Sequence, residues 1–448
     1  MSAETGLVQR QLARVVNVEP GEMNAVFSAF FLFFFVLGSY FAVRPVRETI
    51  GTLLGRDYVA DLWLYTAIFS IAIIPVYGWL VARVRRSVLL PCLYGSVSLM
   101  LVGLGVAIGA GEIDLQVGAF FYVWISVLNL ILVSLFWSFL LEVFSSEQSR
   151  RLFGFIAAGG TLGALLGPLM TVLYADTLGV SGLLYLGAMG FACAVVCQFV
   201  LLSVWKPKAA VAANSRPDRG LGGNPFAGIT KVFSSPYLMG IATFVCLLSA
   251  ANTILYFEQL RIVEETFADI DRRTQVFGSI DVVVQLLTVA TQLFLTGRIA
   301  RRLGVTGLLA LVPLAMVAGF LALAAFQVFA ALAAVLILRR WGEYALVRPG
   351  REMLFSKLDT ETKYKAKSFI DVPVYRFADY VGAQAKTGID AVTASPTMSI
   401  LAGAALAGLW ALNGSWLGRR HDAAPPEPGP LNQEPQRPEG QGRVTTPA

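Results

Sequence analysis

Charge is scarce in this chain: 14% of its 448 residues are Asp, Glu, Lys or Arg, against ~25% in soluble globular proteins. Histidine occurs once, at His421 in a polar tail, so zinc sites and His-based acid–base chemistry have no raw material, and neither a metal nor a cofactor is expected. The four cysteines, Cys92, Cys193, Cys197 and Cys246, sit inside apolar runs, where a thiol behaves as a small hydrophobe and disulfides are not expected. Residues 1–22 carry Arg10, Arg14, Glu19 and Glu22 but no apolar h-region, which argues against a cleaved signal and for insertion at the first span. The net charge of +6 is modest, and nucleic-acid binding is not implied. Ordinary hydrolases are excluded, and no separate soluble catalytic domain fits, so an enzyme is not expected.

Apolar residues are abundant instead, at 56%, with a mean hydropathy of +0.66. Read in ~19-residue windows, the chain places six spans between residues 24 and 205 and six more between 236 and 417. The expected fold is an all-α polytopic membrane protein of about twelve transmembrane helices in a 6+6 pseudo-repeat. Its parts are a cytoplasmic N-terminal segment (1–22), an N-terminal six-helix bundle (23–205), a cytoplasmic linker (206–235), a C-terminal six-helix bundle (236–418) and a disordered cytoplasmic tail (419–448). The eleventh span is weak. It holds Asp371, Arg376, Asp379, Lys386 and Asp390, a load that has to face protein or water.

Orientation follows from the basic residues. The N-terminus, the even-to-odd loops and the tail hold 25 of the 35 Lys and Arg, while the opposite loops hold six. Both termini are therefore expected in the cytoplasm, with the chain a monomer in a bacterial inner membrane. An internal repeat supports the halves: Tyr40-Phe41 and Glu48 recur as Tyr256-Phe257 and Glu264, Arg83 and Arg86 as Arg298 and Arg301, and Glu147, Arg151, Phe155 and Ile156 as Glu361, Lys365, Phe369 and Ile370. Same-orientation repeats of six spans are a transporter architecture.

Charges inside the spans are the candidate site. At the expected end of span one, Arg44, Arg47 and Glu48 lie three and four residues apart, which favours one helix face. Snorkelling explains such clusters at many helix ends, but this end is the non-cytoplasmic one, where positive charge is disfavoured, so an anion site facing a central cavity is the better reading. In span ten, Arg339 or Arg340 can pair with Glu343; the two adjacent arginines point about 100° apart, so one acid cannot neutralise both. Span eleven adds Arg376 and Lys386, with Asp371, Asp379 and Asp390 able to offset them. Glu142, Glu258 and Asp281 with Gln285 form an acidic constellation that can pair with arginines, contact a ribose or amine, or take up a proton. Asn129 reads as an inter-helix hydrogen bond. Gly159, Gly163 and Gly167, spaced by four, read as helix packing and not as a phosphate loop, which needs a preceding strand. Tyr40, Phe41, Trp341 and Tyr344 are aromatics of a kind that usually packs inside spans, though under the resemblance drawn below they could stack on a base.

The 6+6 count, the basic turns after spans two and eight and the long middle loop resemble the major facilitator superfamily. The turn Gly78 to Arg86 is similar to that superfamily's loop signature, with Ala82 where an acidic residue is usual. The segment Arg44-Pro45-Val46-Arg47-Glu48-Thr49-Ile50 resembles the first-helix motif of the ATP/ADP translocase family, with Arg47-Glu48 in place of a Lys-Asp pair. The segment Glu361 to Val372, which contains Lys367 and Asp371, is similar to that family's Lys-rich loop leading into span eleven. The resemblance implies alternating-access exchange of nucleotides or a related phosphorylated anion, with the bilayer and a small anionic substrate as partners. Two rivals stand beside it: a proton-coupled facilitator of another organic anion or lipid headgroup, and a non-transporting scaffold or receptor.

Overall fold

The computed structural model of the protein describes residues 18–19, 21–111, 114–205, 227–356, 358, 360–393 and 395–423. Most of the expected N-terminal segment, residues 206–226 of the expected linker and the tail from 424 onward lie outside the described residues, as do the side chains of Ala82, Glu361, Lys363 and Tyr364 in the two motifs. Among the described residues every regular element is a helix.

The first half comprises α1 (Met23–Leu54), α2 (Arg56–Arg83), α3 (Arg86–Gly109), α4 (Leu115–Val143) and a helical stretch over Ser146–Val204 that Gly179 divides into α5 (146–178) and α6 (180–204). A short linker helix (Ala227–Ser234) leads to α7 (Pro236–Thr266), α8 (Ile270–Phe294) and α9 (Thr296–Ala325). Then come two composite helices. α10 is Phe329–Gly342, a π turn over Glu343–Val347 and Arg348–Leu354; α11 is Thr360–Phe369, a π turn over Ile370–Val374 and Tyr375–Thr393. The last helix, α12, spans Pro396–Ala423, running past residue 418. Alternation of direction puts the starts of α1 and α7 with the linker helix at one end of the bundle, the linker end, and the α1–α2 turn at the other, the far end.

Nine helices among the described residues are long and apolar enough to cross a membrane, one of them the double-length 147–204 stretch. α10 and α11 fall outside that count because a π turn interrupts each, and α11 also carries the charges noted above. Leu99, Leu293 and Leu412 point outward, each more than two-thirds exposed, a surface that suits lipid. The chain is an integral membrane protein.

Local chemistry sets the breaks between helices. Asp114 accepts from the Gln116 and Val117 N–H groups at the start of α4, and Ser145 and Gln148 form a reciprocal capping box at the start of α5. Gly55, at φ +83°, is the single residue between α1 and α2, and Gly179, at φ +62°, does the same between α5 and α6. A side chain at either would be strained. At the linker end, Glu22 joins the start of α1 to α5, accepting from Gln148 at 2.7 Å and Arg151 at 3.1 Å. Burial pushes the Glu22 carboxyl up, but the Glu19 N–H, the Gln148 amide and the Arg151 guanidinium outweigh it and hold the group below the usual carboxylate range.

α1 and α5 touch main chain to main chain. A methyl group at Gly159, Gly163 or Gly167 would come within 2.4, 2.2 and 2.3 Å of the Phe30, Phe34 and Gly38 carbonyl oxygens, so these glycines are packing, as their spacing suggests. Each half has its own apolar core; that of the first half also takes in Tyr256, Phe257 and Leu260 of α7 and Ala383 of α11.

Candidate functional site

α1 continues to Leu54, well beyond the apolar window that stops at Val43. Arg44, Arg47 and Glu48 therefore lie inside the helix and not at its end, and all three line a cavity of about 860 Å³ between the halves. Walls come from α1, α2, α4, α7, α8, α10 and α11. Its far end is closed by hydrogen bonds between the halves: Thr49 with Thr274 at 2.7 Å, Arg273 to Thr52 at 2.9 Å, and the Tyr122 and Tyr256 hydroxyls at 2.6 Å. Toward the linker end the wall reaches Arg348 and Glu352, whose side chains are 57% and 52% exposed, so the cavity opens on that side.

The arginines are arranged in pairs with acids. Arg47 donates to Glu48 at 2.5 Å and to Ser126 at 3.1 Å, and lies over the Tyr122 ring at 5.4 Å. Glu48 thus takes its sequence neighbour, not Arg44 one turn back. Arg44 instead reaches Asp281 on α8 at 3.5 Å, and Arg340 reaches the other oxygen of the same carboxylate at 2.5 Å. Arg339 pairs with Glu343 at 2.9 Å, and Arg348 approaches Glu343 at 3.4 Å. Glu343 does not serve both adjacent arginines of span ten: Arg340 takes Asp281 of α8, and both arginines line the cavity. Deeper in α11, Arg376 approaches Asp379 at 3.4 Å, and Arg351 approaches Asp371 at 3.4 Å. The Nε atoms of Arg47, Arg339 and Arg340 are buried without a hydrogen-bond acceptor, leaving donor capacity at the wall.

The π turns explain how α10 and α11 turn so many charges inward. Pro349 and Pro373 lack the N–H that an α-helix would use, and a π turn frequently marks a functional segment. In α10, the Tyr344 and Ala345 carbonyls accept from Gln292 at 3.1 Å and Thr296 at 2.9 Å. Those bonds tie α10 to α8 and α9 beside Arg339, Arg340 and Glu343.

Nine of the twelve residues singled out from sequence line the cavity: Arg44, Arg47, Glu48, Asp281, Arg339, Arg340, Glu343, Asp371 and Arg376. Three are elsewhere. Glu142 is at the linker end of α4, ion-paired with Arg86 of the basic turn. Glu258 is fully buried between α7 and α11, held by Arg261 at 2.7 Å and Lys386 at 2.9 Å. Lys367 pairs with Glu352 on the cavity rim. Asn129, read as an inter-helix hydrogen bond, faces the cavity instead, and Trp341 turns away to donate to Thr291 at 2.8 Å. Trp63, Tyr122 and Tyr256 were not anticipated in the wall; the repeat of Tyr40-Phe41 at Tyr256-Phe257 was the signal that could have placed Tyr256 there, because Tyr40 and Tyr256 both line it.

Solved structures share this chain's overall fold. A POT family peptide transporter superimposes with a TM-score of 0.62 at 15% identity over 88% of this chain and 97% of that one. The nucleoside transporter NupG gives 0.60 at 15% over 89% and 99%. The fold is major-facilitator-like, as in these solved transporters. Another facilitator-fold match, a bacterial homologue of the lysosomal transporter Spinster in an inward-facing conformation, gives 0.59 at 12% over 90% and 98%. No family model matches the sequence. Among curated proteins, this facilitator-fold chain resembles ADP,ATP carrier protein 1 of Chlamydia trachomatis, with 25% identity over 319 residues, and its counterpart in Chlamydia muridarum, with 26%. The match takes in 62% of this chain and spans 59% of the carriers' length.

Proposed function

We propose that the protein is a secondary-active carrier that moves nucleotides, or a closely related phosphorylated anion, by alternating access, with exchange as its main mode. The observation that carries this reading is the convergence of guanidinium groups from both halves, Arg44 and Arg47 from α1 with Arg339 and Arg340 from α10, in one cavity closed at its far end. A guanidinium presents two N–H donors matched to two phosphate oxygens. The volume falls within the ~300–1,000 Å³ of small-molecule sites, and Tyr40, Tyr122 and Tyr256 offer ring surface for a base. In this reading Arg44, Arg47, Arg339, Arg340 and Arg376 receive phosphoryl oxygens, while Glu48, Asp281, Glu343 and Asp371 hold them in place between visits. The names of the curated relatives, ADP,ATP carriers, and the nucleoside transporter among the solved structures support the same substrate class.

The two bundles, 23–205 and 236–418, move about the cavity in a monomer. The linker end faces the cytoplasm of a bacterial inner membrane, which makes the described state inward-open. A cysteine placed within 206–226 should be protected from an impermeant thiol reagent added outside intact cells; labelling there overturns the orientation. The function itself is tested in proteoliposomes given labelled ATP outside. Uptake should accelerate when ADP is loaded inside and should survive collapse of a pH gradient. Uptake that follows the pH gradient and ignores internal nucleotide would establish the proton-coupled rival instead.

A further inference from the structure

Asp281 occupies a place that a simple anion carrier does not require. Its carboxylate is almost fully buried, and its two oxygens are taken by Arg44 of α1 and Arg340 of α10, one arginine from each half. Across the whole wall, seven arginines face six carboxylates. The protein therefore neutralises nearly all of its own cationic site.

That balance bears on the transport cycle. Closing a cavity around uncompensated guanidinium groups removes them from water without a partner, which is heavily unfavourable. A carrier whose arginines are neutralised only by cargo is confined to exchange, because it cannot close unloaded. A carrier that supplies its own carboxylate is not so confined. We infer that Asp281 is a built-in substitute for the cargo's anionic oxygen. It yields Arg44 and Arg340 to an arriving phosphoryl group and retakes them when that group leaves, so the unloaded carrier closes and returns. Exchange is then the faster mode but not an obligatory one, and net movement of cargo is possible. The same competition favours a multiply charged phosphoryl group over a single carboxylate, since only the stronger charge displaces a carboxylate already seated. This inference rests on the carrier reading above and deepens it.

The test uses the full chain. Proteoliposomes loaded with labelled ATP are diluted either into nucleotide-free medium, which reads net release, or into ADP, which reads exchange. Wild type should show net release above protein-free vesicles, and Asp281→Asn should lower the ratio of net release to exchange by about tenfold or more. Combining Asp281→Asn with Arg44→Gln restores the original charge count and should restore the ratio. A second readout needs no nucleotide: pyrophosphate binding to purified protein should tighten by about tenfold in Asp281→Asn, because a seated competitor is gone. If that variant does not accumulate, pyrophosphate binding to the double variant against Arg44→Gln alone makes the comparison: with the competitor on Arg340 gone, binding should again be tighter in the protein that lacks Asp281. Absence of net release in wild type, an unchanged ratio in the variant, or weaker pyrophosphate binding overturns the role of Asp281. Nucleotide exchange with an unchanged ratio would defeat this inference alone, whereas tighter pyrophosphate binding in a protein that ignores nucleotides would support it and defeat the nucleotide reading.

Discussion

The two halves share a six-span plan but are held together differently. In the first, α1 and α5 meet across Gly38, Gly159, Gly163 and Gly167 with main chains in contact. In the second, the corresponding pair, α7 and α11, is joined by Ser249 donating to Asp379 at 2.5 Å and by Glu258 with Lys386 at 2.9 Å. The internal repeat, at its shift of 214, sets Pro373, Phe377 and Val381 at the positions of the three α5 glycines; Phe377 and Val381 point outward, and the residue of α11 that faces α7 is Gly382, less tightly approached than the α5 glycines. Charge divides the same way: the first half gives the cavity Arg44, Arg47 and Glu48, and the second gives it every other charged side chain and both π turns. Backbone contact leaves no room for ion pairs, whereas ion pairs need the spacing that larger side chains provide. The first half is thus a close-packed wall with one charged turn, and the second is the chemically varied face.

That contrast is open to direct attack, and the largest effect should fall on the ionic half. Glu258→Gln leaves Arg261 to Glu265 and the almost fully buried Lys386 to Asp390 alone, and breaking a buried pair costs up to ~3–5 kcal/mol. Thermal unfolding of the purified protein should drop accordingly, and an unchanged transition would mean that the second half does not depend on its ions. Next comes Arg47→Gln, which under the proposed function removes a charge-assisted bond to phosphate worth ~1.5–3 kcal/mol. Nucleotide affinity should fall at least about tenfold, with Arg47→Lys between it and wild type because charge remains and the fork is lost. Normal affinity in both variants would leave Arg47 a structural partner of Glu48 and Ser126 with no part in binding.

The packing half is probed by Gly163→Ala, whose new methyl meets the Phe34 carbonyl oxygen at 2.2 Å. A destabilisation of ~1–3 kcal/mol is expected. Gly382→Ala on α11 should cost less, since its methyl would meet the movable Thr253 side chain at 3.1 Å; equal costs would erase the distinction between the halves. Smallest of all is Glu22→Gln. With its native pKa lowered, Glu22 contributes stability that is fully present above the unfolded carboxylate value of ~4.3 and is lost as pH falls through the lower native value. Glu22→Gln should therefore remove part of the acid sensitivity of unfolding below pH ~4 and leave little trace if unfolding is compared only at low pH.

Much of the fold could be read from the sequence because a lipid-facing helix has to be apolar along its length. The same rule misjudged where α1 stops. Hydropathy ends at Val43, but the helix continues to Leu54, its charges being satisfied by Asp281, Ser126 and Glu48. The residue types of the site were also legible, since arginine inside a span demands a partner. Which partner was not: Arg44 and Asp281 are 237 positions apart in sequence, and no periodicity links them. Glu142 and Glu258 looked equivalent to Asp281 for the same reason. The three carboxylates are separated by what each meets in space, Arg86 at a helix end, Lys386 in a buried layer, or two arginines in a cavity.

The π turn in α10 has a consequence for mutational drift. Its spare acceptors, at Tyr344 and Ala345, are main-chain carbonyls bound by the side chains of Gln292 and Thr296. A carbonyl belongs to no residue type, so for these two bonds positions 344 and 345 are free to vary across related chains. Positions 292 and 296 are not, because only a donor side chain of the right reach can make the bond. Selection to keep α10 in place would therefore be felt on α8 and at the start of α9, in residues a reader of α10 would never inspect.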